Sequence, residues 1–586
     1  MKRILSLALV LVAVSAVAWF VIRSSGVISV APIAALLPRE TVFFVHAPDF
    51  NRTREQWHQL DIYQLFNEPA VQEFLRKPMT RLPRKEAASQ TLQDVEQLDP
   101  RDAFFALTFI DRNSLRFAGG FRFRGSEADA EKVIGKWRAK LFENNSTAKR
   151  ETVEYEKHKI DTVSVPPFTF TSVYAGHWFF VANDVSELKR LLDRADNRNY
   201  DRQATLEGDD AYHAAVAHMP SGYAALFYLQ PKRFAEELNS LRAAIGSLGP
   251  AQGSQLDQIH SVCGATRLED GKMHDFLFVG MQKIEQTRPL VRSSLKLGTK
   301  DTALYLALLL DIAEKIQILG KAPGINEKIQ QIFQTFDDAG ITAEHWKAAF
   351  EPEVGALADW PQSSHWPSLL LTMPVIDSGK ASEIVETAMR IDEDSEWERT
   401  EKDGVRYFFM RSPASLVSIM PTFALSDQIM VLGLNEASVE AAVKRSLSGT
   451  TELADAQTFK AASHLIPAPT NFFAYVDTAL LYARLDSAVR PIVLMAAAFI
   501  PGIHDYVDID KFPAVDVITK HLNPIVSSQR YERDGYVSES VGPLTLNQAA
   551  IGLVILGVGI TNDQGARGGT GSWLPGIPTP APSGTP

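Results

Sequence analysis

Several groups of residues have types and spacings that could do chemistry. Serine stands three residues before lysine at Ser146/Lys149, Ser186/Lys189 and Ser293/Lys296. In penicillin-binding-type enzymes that spacing marks a serine nucleophile, but the chemistry also needs S-x-N and K-T-G companions, and none is recognisable. Ser186 falls just inside a capped helix, which already explains it. His504-Asp505 with Asp508 and Asp510 is oxygen-rich enough for a hard cation, yet the glycine turn and closing glutamate of a calcium loop are missing. His213 and His218 are five residues apart, about 140° around a helix, a poor angle for sharing a metal. The acidic run Glu207-Gly208-Asp209-Asp210 suits the start of a helix, where negative charge meets the macrodipole. H-E-x-x-H, G-x-S-x-G, P-loop and dinucleotide-binding patterns are absent. These residues point to no catalytic, metal or cofactor-binding site.

Composition narrows the classes further. A net charge of −11 argues against a nucleic-acid partner, which needs a basic surface to displace counterions. The basic stretch Arg76 to Arg84 reads as a solvated face. The single cysteine, Cys263, excludes an intrachain disulfide, a cysteine-rich zinc site and a CxxC redox pair. Small neighbours on a predicted strand make it a buried residue.

The elements that would position any site are organised by a repeat. Ala211 to Gln230 recurs without a gap as Thr458 to Asp477, 247 residues later. Tyr212 falls on Phe459, Pro220 on Pro467 and Tyr228 on Tyr475, and both stretches predict a short helix, a proline turn and an apolar strand. The flanks repeat in the same order. Glu156-Lys157-His158-Lys159-Ile160 matches Glu401-Lys402-Asp403-Gly404-Val405, both short polar turns between extended runs. Asp184 and Asn435 sit at helix N-caps. Leu188, Leu191 and Leu192 correspond to Val439, Ala442 and Val443 on one helix face. Asp270-Gly271 and Asp534-Gly535 each split two candidate strands as hairpin turns. A tandem duplication follows, and a chain of 586 residues exceeds one core in any case.

Met1-Lys2-Arg3 precedes Ile4 to Ile22, an apolar run of 19 residues. It is long enough to span roughly 30 Å of hydrocarbon, with the basic end inside and the rest of the chain outside the cytoplasm. A signal peptide cut after Ala16-Val17-Ala18 is the competing reading, although Trp19 to Ile22 continue the apolar run through the cut. Residues 1–25 are thus anchor or signal, and 26–37 a linker. Residues 38–290 form the first half and 297–546 the second, with the boundary in Ile284 to Lys296. In the first half Thr53-x-x-Gln56 suggests a capping box for a helix through Phe66, and Asn67-Glu68-Pro69 opens another. Asp102–Phe109 and Phe117–Arg124 predict strands, and Ser126-x-x-Asp129 caps a helix with Val133, Ile134, Trp137 and Leu141 in one stripe. Pro491 to Ile503 is too short to span and reads as a buried helix or an apolar surface loop. Residues 547–560 contain a second short apolar run, Ala549 to Ile560, without basic flanks. Residues 561–586, rich in Gly, Pro and Thr, form a tail expected to be disordered.

The opening LLPRETVFFVHAPDF followed by REQWHQLDIYQLFNEPAVQEFLRKP resembles the bacterial family catalogued as domain of unknown function 3352. The resemblance spans most of the chain. It implies a bacterial envelope protein with an N-terminal export segment, and carries over no catalytic or binding residues. The expected fold is α+β, with two halves of mostly antiparallel sheet and helices packed on one face. The expected role is a non-catalytic scaffold or binding module anchored in the inner membrane and facing the periplasm. A carrier of an apolar, lipid-like ligand is the alternative, motivated by Phe-rich strands. An unrecognised enzyme is a third.

Overall fold

Among the described residues, runs rich in Phe, Val, Ala and Leu build twenty strands of one antiparallel sheet. The computed structural model describes residues 31–80, 85–110, 115–142, 148–165, 168–197, 201–234, 258–283, 288–310, 334–390, 396–411, 420–449, 451–499 and 508–548. The run Ile4–Ile22, Ser146, His504-Asp505, Ala549–Ile560 and residues 561–586 lie outside these. Among the described residues no helix is long and apolar enough to cross a membrane.

The first ten strands are β1 Phe43–Asp49, β2 Arg101–Ile110, β3 Leu115–Arg122, β4 Lys149–Tyr155, β5 His158–Val165, β6 Phe168–Ala175, β7 Trp178–Ala182, β8 Ala225–Leu229, β9 Ile259–Glu269 and β10 Lys272–Met281. The second ten are β11 Thr302–Leu309, β12 Glu353–Asp359, β13 Ser368–Pro374, β14 Glu396–Lys402, β15 Val405–Arg411, β16 Thr422–Leu425, β17 Ile429–Gly433, β18 Phe472–Val476, β19 Ile525–Glu532 and β20 Gly535–Gly542. Pairing runs β4-β5-β6-β7-β3-β2-β1-β8-β9-β10 and then β20-β19-β18-β11-β12-β13-β17-β16-β15-β14. Read from either end, strands of the first ten occupy the places of strands numbered ten higher. The β10–β20 ladder, from Met273↔Gly542 to Gly280↔Gly535, is the seam between the two runs. At the outer edges, β4 (KRETVEY) and β14 (EWERTEK) are mostly exposed and charged, which discourages edge-to-edge pairing with another chain.

The turns fall close to the expected places. Asp270 and Gly271 both adopt left-handed φ, 49° and 77°, as do Asp403 and Gly404 at 53° and 74°, the geometry of a tight hairpin. In the last hairpin the turn is Arg533-Asp534 rather than Asp534-Gly535. Arg533 takes the positive φ of 48°, and Gly535 already pairs with Glu532.

Helices cover both faces of the sheet, not one. Strand alternation puts Phe44, Phe180, Tyr228 and Phe278 on one face, where the helices Val185–Ala195 and Asp210–Val216 bury Leu188, Leu191, Leu192 and Tyr212 against them. Phe121, Phe179 and Tyr174 point to the other face and meet Val133, Ile134 and Trp137 of the helix Glu127–Phe142. The second run is packed alike. Helices Glu436–Ser448 and Gln457–Ser463 lie on the first face, and Ser378–Met389 lies on the second. Trp-Phe-Phe-Val-Ala of β7 is apolar on both sides, with Phe180 in the first-face core and Phe179 packed on the second face, so a single covered face could not hold both.

Corresponding aromatic pairs sit at the heart of each run. Tyr212 packs edge-on against Tyr228 at 5.1 Å, and Phe459 against Tyr475 at 5.0 Å. Asp184 accepts from the backbone N–H of Glu187 at 3.0 Å and Asn435 from that of Ser438 at 2.8 Å, closing the two matching helix starts. Ser126 and Asp129 form the expected box, the Asp129 N–H reaching the serine Oγ at 3.2 Å. The helix predicted to begin at Thr53 starts earlier, as Phe50–His58. Asp49 caps it by accepting from Arg52 N–H at 3.0 Å, and a new helix, Asp61–Asn67, follows.

Residues 31–37, the described part of the expected linker 26–37, are packed rather than free. Ile33, Ala34 and Leu37 are buried in the first core, because that face needs an apolar lid beyond its helices.

Candidate functional site

The residues singled out for chemistry are dispersed and mostly structural. Ser186 hydrogen-bonds the capping Asp184, while Lys189 lies 4.8 Å over the ring of Tyr155. Ser293 belongs to a nest in which the N–H groups of Val291 and Arg292, each 2.9 Å away, donate to the buried Glu353 carboxylate. Asp508 faces Lys77 at 3.8 Å, and Asp510 is exposed. His213 contacts the Glu207 carbonyl, whereas His218 stacks on Phe278 at 4.4 Å and faces Glu532 at 3.2 Å. Asp209 caps the helix Asp210–Val216, as the acidic run suggested. Cys263 is fully buried, and burial pushes its thiol pKa up, so it stays an uncharged core residue. Among the described residues no cluster of three or more His, Cys, Asp or Glu could hold a metal.

Two buried polar groups escape sequence reading, because their members come from separate strands. His46 of β1 is wholly buried. Its Nδ1 hydrogen-bonds the Tyr223 hydroxyl at 2.8 Å, and its Nε2 lies 3.8 Å from Asp102, beyond hydrogen-bond reach. Arg122 of β3 neutralises Asp102 at 2.8 Å. Burial lowers the His46 pKa from 6.5, and the nearby Asp102 carboxylate only partly restores it. At the seam, His274 places its two ring nitrogens 3.2 Å from Glu269 and 3.2 Å from Glu539. Glu539 also accepts from Arg530 at 2.6 Å. Burial raises the Glu539 pKa, but the His274 and Arg530 contacts outweigh it and leave the group below its ordinary value. Both tie strands together.

The open chemistry is apolar. On the second face, Leu304 of β11, Leu369 and Leu371 of β13, and Leu434 just beyond β17 are 38–48 % exposed. Leu371 lies between Ala356 of β12 and Leu432 of β17 in one cross-strand row, and Leu306 adjoins Ala356. The helix Thr478–Phe499 leaves β18 at Val476, the partner of Leu304. Its Leu485, Val489, Ile492 and Met495 repeat at helical spacing and are 37–61 % exposed. The expected apolar segment from Pro491 is therefore helical in its described part, but not buried. In the first run the matching place on β1, β2 and β3 carries Phe43, Phe105 and Phe117, with Phe234 laid against them.

No family model matches the chain, and no curated protein matches it. Among solved structures it is similar to TP0453 in crystal form III, at 9% identity and a TM-score of 0.22, over 43% of this chain and 81% of that one. It is similar to crystal form I of TP0453 at 8% identity and a TM-score of 0.23, over 43% and 80% of the two chains. Superposition that loose carries no argument about fold or function.

Proposed function

We propose that the chain is a non-catalytic envelope protein that binds an apolar partner on the leucine face of β11, β12, β13 and β17. The exposed leucines carry this reading. A contiguous apolar surface left open on a soluble domain marks a binding site, since covering it removes roughly 25 cal/mol per Å² of apolar area from water. An acyl-chain ligand suits a surface of Leu and Ala with no charged centre, so the lipid-carrier reading is the sharper form of the binding module. The N-terminal apolar run would anchor the protein in the inner membrane with its bulk in the periplasm, in keeping with the family resemblance. The palindromic strand order and the paired aromatics, Tyr212/Tyr228 and Phe459/Tyr475, support descent of residues 38–290 and 297–546 from one duplicated unit.

Native mass spectrometry of the detergent-extracted protein tests the binding reading. An apolar molecule should co-purify with the wild type and be lost from a Leu304→Glu/Leu371→Glu variant that still folds. Identical spectra without adduct for both proteins would end it.

A further inference from the structure

Where the β10–β20 ladder joins the two runs, histidines of one run meet carboxylates of the other. On the first face of the sheet, His274 of β10 reaches Glu539 of β20 at 3.2 Å. His218, in the turn after the helix Asp210–Val216, reaches Glu532 of β19 at 3.2 Å. Away from the sheet, His521 lies 2.7 Å from Glu68, which Lys520 already balances at 2.8 Å. His274 and Glu539 are buried, and His218 is half-buried against Phe278. Further charges surround the two seam histidines. β9 supplies Arg267 and Glu269, which pair at 2.5 Å, and Glu269 lies 3.2 Å from the second ring nitrogen of His274. β19 supplies Arg530, which bonds Glu532 and, at 2.6 Å, Glu539. The rings stacked on His274 and His218, Phe276 and Phe278, carry no charge.

Three carboxylates, Glu269, Glu532 and Glu539, thus face two guanidiniums, Arg267 and Arg530. One negative charge is left over until a histidine takes a proton. The geometry at His274 favours the same step. A neutral imidazole has one N–H, so one of the two flanking carboxylates would face a ring lone pair, and both are satisfied only when both nitrogens donate. Screening by salt and water is weak there, because the pair is buried. Burial raises the Glu539 pKa, but the His274 and Arg530 contacts outweigh it, so the carboxylate keeps its charge near neutral pH. We infer that the two runs are joined by a proton-loaded histidine clasp. In mildly acidic solution His274 and His218 of the first run grip Glu539 and Glu532 of the second, and in alkaline solution they release them. The clasp is strongest where imidazole is charged and weakens as the pH rises through about 5 to 8, the range in which imidazole gives up its proton. His46 acts in the opposite sense and inside one run, so the two effects differ in place as well as in sign. The clasp is independent of what the leucine face binds.

Hydrogen–deuterium exchange of the full-length protein in detergent tests the clasp, with labelling times scaled to the intrinsic exchange rate at about pH 6 and about pH 8. Peptides covering β10 and β20 are read relative to β17, which lies in the second run away from the seam. Their relative protection should be several-fold higher at the lower pH. A His218→Gln/His274→Gln variant keeps polar side chains that cannot titrate, so its seam should be weakly protected to the same extent at both values. Equal relative protection of the wild-type seam at the two values would overturn the inference. So would a wild-type pH difference that survives in the double variant, or a seam better protected at the higher pH. If circular dichroism shows that the double variant does not fold, the single variants His218→Gln and Glu532→Gln, at the half-buried end of the clasp, carry the test. Each should cut the wild-type pH difference at least twofold, and an unchanged difference in both would sink the clasp.

Discussion

His46 is where burial and titration conflict most openly. The imidazole is enclosed by Phe44, Tyr223 and Asp102, and its pKa lies below 6.5 because charge is costly there. The unfolded chain takes up this proton at a higher pH than the folded one does. Stability is therefore full above about pH 6.5 and falls as the pH drops toward the folded pKa. Glu539 acts in the same sense at lower pH. Its folded pKa is depressed, so its contribution is present above about 4.5 and is lost as acid titrates the folded group. A His46→Gln variant keeps a polar partner for Tyr223 but cannot titrate. Its urea midpoint should change less than that of the wild type between about pH 7.5 and 5.5. Parallel pH profiles for the two proteins would mean that another group carries the acid sensitivity.

At the scale of elements, the helix, proline turn and strand of each run act as one packed unit. Phe459 is buried between Tyr305, Phe473 and Tyr475, as Tyr212 is between Phe44 and Tyr228. Removing either ring leaves a cavity that rigid strands cannot close. Phe459→Ala and Tyr212→Ala should each cost about 3–5 kcal/mol, read from urea unfolding. A loss below about 1 kcal/mol at one site and not the other would show that the two units are packed differently.

At the scale of the whole molecule, the seam ladder and the buried N-terminal turn make each run depend on chain beyond it. Ile33 is 1% exposed and Leu37 is fully buried in the first core. A soluble version begun at Ala31 should therefore be more stable than one begun at Leu36, by about 1.5–3 kcal/mol for the lost isoleucine. Equal thermal midpoints for the two proteins would show that this turn adds nothing. The membrane anchor is tested separately by N-terminal sequencing of protein taken from membranes. A start at Trp19 or beyond would replace the anchor with a cleaved signal.

Local signals determined much of the architecture. Asp184, Asn435 and Ser126 cap helices because a short oxygen-bearing side chain before an apolar stripe satisfies free N–H groups wherever it stands. Asp270-Gly271 and Asp403-Gly404 make turns because few residues accept a left-handed backbone. Tyr228 and Tyr475 are buried because their strands alternate with period two. None of these effects needs a distant partner, so all were legible in the sequence. Others were not. Asp49 took the cap expected of Thr53, since the end of β1 sets where the next helix can begin. Helices on both faces, the packing of Ile33, and the meeting of His46 with Asp102, Arg122 and Tyr223 depend on strands far apart in the chain lying side by side. The leucine face is decided at the same level. Leu304, Leu369 and Leu371 read in sequence as core residues of apolar strands, and only the placement of the surrounding helices leaves them open to water.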